Sequence, residues 1–88
     1  MTDHEKKREA MLLPFVDVIA SAREAHHITQ QELALRAGFS KKYVSLVEHG
    51  WRLPPLESMI MLCAAAQVPR KIVEKMLKAV VDGLEWRA

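Results

Sequence analysis

The side chains with chemistry to offer concentrate between positions 29 and 52. Lys41, Lys42, Ser45, Leu46 and His49 recur at helical spacing, so a helix over this stretch gathers them on one side. Ammonium groups, a hydroxyl and an imidazole on one side of a short helix can hydrogen-bond base edges and phosphates. The amino end of such a helix is the part that enters a major groove. On an arbitrary helix two adjacent lysines are solvated surface, and only the turn before them changes that reading. Enzyme chemistry has no counterpart here: there is no phosphate-cradling glycine loop, no metal-ligand spacing and no nucleophile beside a base. His26 and His27 lack a further ligand at suitable distance and read as a helix-end pair near favourable carbonyls. Cys63 lies on an apolar stripe and reads as a small core residue. No catalytic residue, cofactor or metal is expected.

Two short helices must hold the polar face in place. Thr29-Gln30-Gln31-Glu32 is a capping box, with the Thr29 hydroxyl placed to accept from the Glu32 amide. Ile28 and Leu33 occupy the two positions of a hydrophobic staple around it, and Gly38 limits this helix to two turns. Ser40 is the next N-cap, Phe39 and Val44 repeat the staple spacing, and Gly50 ends the second helix in a left-handed conformation. The connection Ala37-Gly38-Phe39-Ser40 has the length and the glycine that a helix-turn-helix requires. Ala34 faces the crossing, where a larger side chain would push the pair apart. Val44 and Val47 pin the second helix inward.

The remaining chain divides at its few breakers, glycine at 38, 50 and 83 and proline at 14, 54, 55 and 69. No stretch alternates in the manner of a strand, so an all-α chain of five apolar-periodic segments is expected. The first runs from Pro14, taken as a first helical residue, to Ala25, with Phe15, Val18, Ile19 and Ala22 inward. The fourth follows Pro54-Pro55 and carries Leu56, Met59, Ile60, Cys63 and Ala66. The fifth opens at Pro69 and has a stripe of double width: Ile72, Val73, Met76, Leu77, Val80, Val81 and Leu84. Half of that stripe can cover the chain's own core. The other half marks a partner surface, so Val73, Met76, Leu77, Val80, Val81 and Leu84 are the expected seam of a homodimer. Residues 1–13 form an arm or an extra helical turn, 14–69 the helix-turn-helix domain and 70–88 the dimerisation element.

Eighty-eight residues, half of them hydrophobic and 27% charged, suit one small globular domain. A net charge of +2 is too mild to name a partner. No run approaches the ~20 apolar residues of a membrane span. The amino end precedes no apolar stretch or cleavage site, and with a single cysteine this points to a cytoplasmic protein. Lys6-Lys7-Arg8 is offset by Asp3, Glu5 and Glu9, so residues 1–9 carry no net charge and form either a solvated end or a DNA-touching arm.

The ordered set Arg23, Thr29-Gln30-Gln31-Glu32-Leu33-Ala34, Ala37-Gly38, Val44-Ser45-Leu46-Val47-Glu48-His49-Gly50 and Pro54-Pro55-Leu56-Glu57 resembles the lambda-repressor/Cro-like helix-turn-helix family, the XRE type. The resemblance covers about residues 15–69. It implies a five-helix bundle whose third helix enters the major groove of double-stranded DNA. It places Lys41, Lys42, Ser45 and Leu46 at base-facing positions, and Gln30, Tyr43 and Arg52 at phosphate contacts. It makes Arg23 and Glu48 a buried structural ion pair. Trp51 departs from the family, which has a small polar or basic residue there, and Pro55 replaces the usual Ser/Thr cap. The expected function is a dimeric, sequence-specific regulator of transcription, a repressor or autoregulator on an inverted repeat. The rivals are an antitoxin-like regulator whose fifth helix grips a toxin, and an interaction adaptor that has lost DNA binding.

Overall fold

Short polar residues set the helix starts. In the computed structural model, which describes residues 2–84, the chain forms α1 (Asp3–Ala25), α2 (Gln30–Ala37), α3 (Lys41–Glu48), α4 (Leu56–Ala65) and α5 (Arg70–Asp82), with no strand among the described residues. The hydroxyls of Thr2, Thr29 and Ser40 accept from the backbone N–H groups of Glu5, Glu32 and Tyr43 at 3.0–3.1 Å. Each satisfies one donor that a helix start leaves unpaired. Helices α4 and α5 follow Pro55 and Pro69 and have no side-chain cap.

The helix ends use the left-handed conformation four times. Gly38 (φ +80°) and Gly50 (φ +75°) close α2 and α3. Helices α1 and α4 close on His27 (φ +56°) and Gln67 (φ +63°), which carry a side chain where glycine is preferred. Paired backbone bonds hold them there: His27 N–H to Glu24 and Ile28 N–H to Arg23, and likewise Gln67 to Ala64 and Val68 to Cys63, all 3.0–3.1 Å. In both cases the next residue, Ile28 or Val68, is buried, the apolar contact that stabilises this type of ending.

Helix α1 differs from expectation. It begins at Asp3, so Pro14 lies in its interior rather than at its first turn. Pro14 has no N–H for the carbonyl four residues back, a loss tolerable because it sits on the exposed side of the helix. Two tertiary contacts outweigh the local preference. Leu12 is buried in the core, and the Arg8 guanidinium donates to the Pro54 carbonyl at 3.1 Å, tying the first turns of α1 to the segment after α3. The amino end is thus a helix docked on the domain.

The core is built from Phe15 and Ile19 of α1, Leu33 and Ala34 of α2, Val44 and Val47 of α3, and Met59, Leu62 and Cys63 of α4. Burial pushes the Cys63 thiol up to about 11, which disfavours the reactive thiolate. Helix α5 contributes no fully buried residue. Its Val73, Met76, Leu77 and Val80 are half-buried against the core, whereas Ile72, Val81 and Leu84 are exposed. Beside it, an apolar groove of about 390 Å³ runs between α1 and α5, lined by Met11, Pro14, Met76 and Val80 among others.

Two leucines on α2 separate core packing from surface. Leu33 is fully buried and Leu35 is 75% exposed. Leu33→Ala is expected to cost about 2–5 kcal/mol in urea denaturation. Leu35→Ala should stay within about 0.5 kcal/mol of the parent. Equal losses would place the α2 core face wrongly.

Candidate nucleic-acid interface

The turn between α2 and α3 is drawn tight by the Phe39 N–H, which donates to the Ala34 carbonyl at 2.8 Å across the left-handed Gly38. Ala34, Val44 and Val47 are buried at the crossing. Of the remaining side chains of α3, Glu48 turns inward and the others reach the surface. Lys41 and Lys42 are its first two residues and are exposed; Ser45 and Leu46 are half-buried, and His49, at the carboxyl end, is exposed. The first turn of α3 holds no acidic residue. Two ammonium groups therefore stand at the positive end of the helix dipole, an arrangement that an anion placed there would relieve.

One polar cluster fixes the angle of this unit against α1. Arg23 Nε donates to Glu48 Oε2 at 2.7 Å and Arg23 Nη2 to Glu48 Oε1 at 2.9 Å, a two-pronged pair. Arg23 Nη1 also donates to the Ile28 carbonyl at 2.9 Å. The side chains are only 13% and 8% exposed. The hydrogen bond it donates to Glu48 raises the Arg23 pKa further, against the opposing effect of burial, so the guanidinium stays charged. Gln30, expected at a phosphate, donates from Nε2 to Glu48 Oε1 at 3.2 Å. An amide has two N–H donors, so one remains for a ligand. The cluster joins the carboxyl end of α1, the start of α2 and the end of α3.

Aromatic contacts order the segment after α3. Tyr43 stacks on Phe39 (centroids 4.9 Å apart, rings inclined by 26°), and the Arg52 guanidinium lies 5.6 Å from the Tyr43 centroid. The two expected phosphate contacts, Tyr43 and Arg52, are thus neighbours. Trp51 stacks on His49 at 4.8 Å and 24°, yet it is 75% exposed. The N–H groups of Trp51 and Arg52 both donate to the Leu46 carbonyl, at 2.9 and 3.2 Å. Sequence reasoning did not find the Gln30–Glu48 bond, the His49–Trp51 stack or the Arg8 anchor. The stack had a usable signal, two aromatic rings flanking a helix-ending glycine. The other two join residues far apart in the chain and leave no local mark.

The ion pair can be tested directly. Arg23→Met leaves Glu48 buried without its partner and is expected to destabilise by about 3–5 kcal/mol in urea titration. Arg23→Met combined with Glu48→Leu should recover most of that loss, because no buried charge is left unpaired. Additive losses in the double variant would show that the pair is not energetically coupled.

Among the described residues no group of acidic, histidine or cysteine side chains could hold a metal ion, and no helix is long and apolar enough to cross a membrane. Comparison with known proteins adds a family. Residues 19–73 match the model of a helix-turn-helix family. Two uncharacterized HTH-type transcriptional regulators of Mycobacterium tuberculosis, from strains CDC 1551 / Oshkosh and ATCC 25618 / H37Rv, are each 34% identical to this chain over 55 residues. The shared region is 62% of this chain and 39% of each relative, so the chain spans about two-fifths of their length. No solved structure gives a significant match. The matched span runs from the end of α1 through the first turn of α5 and so includes the whole Gly38 turn with its Arg23–Glu48 clamp; the chain belongs to the XRE-type helix-turn-helix family.

Proposed function

We propose that this chain is a sequence-specific DNA-binding regulator of transcription. The observation that carries the reading is the exposed first turn of α3, where Lys41 and Lys42 stand together and no acidic residue shares the turn. In this reading Lys41, Lys42, Ser45 and Leu46 meet base edges. The free N–H of Gln30 at the start of α2, together with Tyr43 and Arg52, binds the sugar-phosphate backbone and sets the register. The two mycobacterial relatives are named as transcriptional regulators of the helix-turn-helix type, which agrees with this assignment.

Gene regulation by so small a reading head calls for two copies. One short helix contacts a few base pairs, whereas a two-fold dimer contacts two half-sites about 34 Å apart. The surface for that role is the outer strip of α5, where Val81 and Leu84 are exposed beside the half-buried Leu77. Val73, Met76 and Val80 lie at its inner edge and also pack on the domain. The proposed protein is a cytoplasmic homodimer that occupies an inverted repeat and represses transcription, its own included, by obstructing polymerase.

Two experiments test these statements. Phosphate neutralisation releases counterions, so the double substitution Lys41→Ala/Lys42→Ala should lower affinity and flatten the slope of log K against log salt by roughly 1–2. Fluorescence anisotropy across a salt series reads both; an unchanged slope and affinity refute the placement of α3. Val81→Lys with Leu84→Lys should turn a dimer into a monomer in sedimentation equilibrium while leaving the helical circular dichroism intact. A wild-type protein that sediments as a monomer would refute the dimer.

A further inference from the structure

The end of α3 carries a second polar device that neither the lysines nor the phosphate contacts use. His49 follows Ser45 by one helical turn, on the same side of α3 as Lys41, Lys42 and Ser45. Its Nδ1 lies 2.7 Å from the Ser45 carbonyl oxygen. A carbonyl can only accept, so the ring hydrogen resides on Nδ1 and that nitrogen donates. The Ser45 hydroxyl oxygen stands 3.4 Å from the same nitrogen, as a weaker second acceptor. One assignment follows for the neutral ring: Nε2 holds a lone pair and can only accept. Nε2 has no hydrogen-bond partner among the described residues, and the residue is exposed.

Trp51 completes the arrangement. Its indole stacks on the imidazole at 4.8 Å and 24°, while three-quarters of its surface stays in water. The Trp51 backbone N–H is tied to the Leu46 carbonyl, which fixes its main chain directly after the end of α3. The imidazole is thus held from two directions, by a carbonyl below and an indole plane beside it. Both contacts favour one orientation of the ring before any ligand arrives, which is what selective recognition requires.

We infer that His49 is a sequence-reading residue whose Nε2 accepts a hydrogen bond from an amino group in the major groove, and that Trp51 is the residue that positions it. In that groove only adenine N6 and cytosine N4 offer such donors; guanine and thymine present oxygen acceptors at the equivalent place. The inference rests on the proposed DNA-binding function and adds one discriminated position to each half-site.

The test is selection from a random duplex pool with the full chain and with His49→Ala, Trp51→Ala and Trp51→Phe. Wild type is expected to enrich a two-fold motif in which one base pair of each half-site is specified by His49. His49→Ala should keep the rest of the motif and lose preference at that position, and removing the exocyclic amino group of that pair (purine for adenine, 2-pyrimidinone for cytosine) should weaken wild-type binding about fivefold and leave His49→Ala binding unchanged. Trp51→Ala should blur the same position, and Trp51→Phe, which preserves a stacking plane, should restore it. A motif unchanged by His49→Ala, or wild-type affinity unchanged when the exocyclic amino group of the affected base pair is removed, overturns the inference while leaving the DNA-binding function standing. Failure of wild type to enrich any motif overturns the function itself and this inference with it.

Discussion

The arrangement of the two short helices depends on the buried clamp of Arg23 and Glu48. Helices α2 and α3 have eight residues each, too few to persist alone in water. Their packing on α1 gives them stability, but apolar packing tolerates sliding and rotation. A two-pronged guanidinium–carboxylate pair does not, because both bonds need a shared plane and a fixed distance. Glu48 also accepts from Gln30, and Arg23 also donates to the Ile28 carbonyl, so each charge has partners beyond the other. That satisfaction is what makes the desolvation of two charges tolerable. The pair orients α3 more than it stabilises the domain, and orientation is what a helix presented to a rigid duplex needs.

The core follows from the same economy of contacts. Val44 and Val47 are the only residues α3 buries, one turn apart on one side. Glu48 turns inward to Arg23, and the remaining side chains of that helix reach the surface in whole or in part. Larger or more numerous inward residues would have drawn Ser45 and Leu46 into the interior. Helix α4 carries the complementary load, with Met59, Leu62 and Cys63 filling the centre beneath α1 and α2. A helix needed for contact with something else is thus held by few but well-packed anchors.

Much of this was legible from local chemistry. The capping box at Thr29, the cap at Ser40 and the glycines at 38 and 50 announce α2, the turn and α3 in order, because each satisfies a backbone requirement that sequence spacing reveals. The start of α1 was not legible. Pro14 carries a local preference for a helix start, and the contacts that override it, Leu12 in the core and Arg8 on Pro54, join distant parts of the chain. The left-handed ends at His27 and Gln67 were hidden for another reason: glycine is the usual marker and is absent. The buried Ile28 and Val68 just beyond were the available sign. On α5 the excess of apolar residues was readable, but which of them the domain itself covers depended on where the amino half of α1 lay.

Pro14, His27 and Gln67 depart from local preference with compensating contacts inside the domain, which makes the departures without such compensation informative. Three of them belong to α3 and its exit. Two lysines stand at the helix end that favours anions, an indole is kept in water, and a histidine ring is fixed by a carbonyl with its second nitrogen unpaired. None of these helps the isolated domain fold. A duplex laid along α3 would resolve all three, by supplying phosphate to the ammonium groups, apolar sugar or base surface to the indole and an amino group to the imidazole. Exposed apolar side chains occur on other helices too, Leu35 on α2 and Met61 on α4 among them, but α3 and its exit bring an indole, an imidazole and two ammonium groups onto one surface.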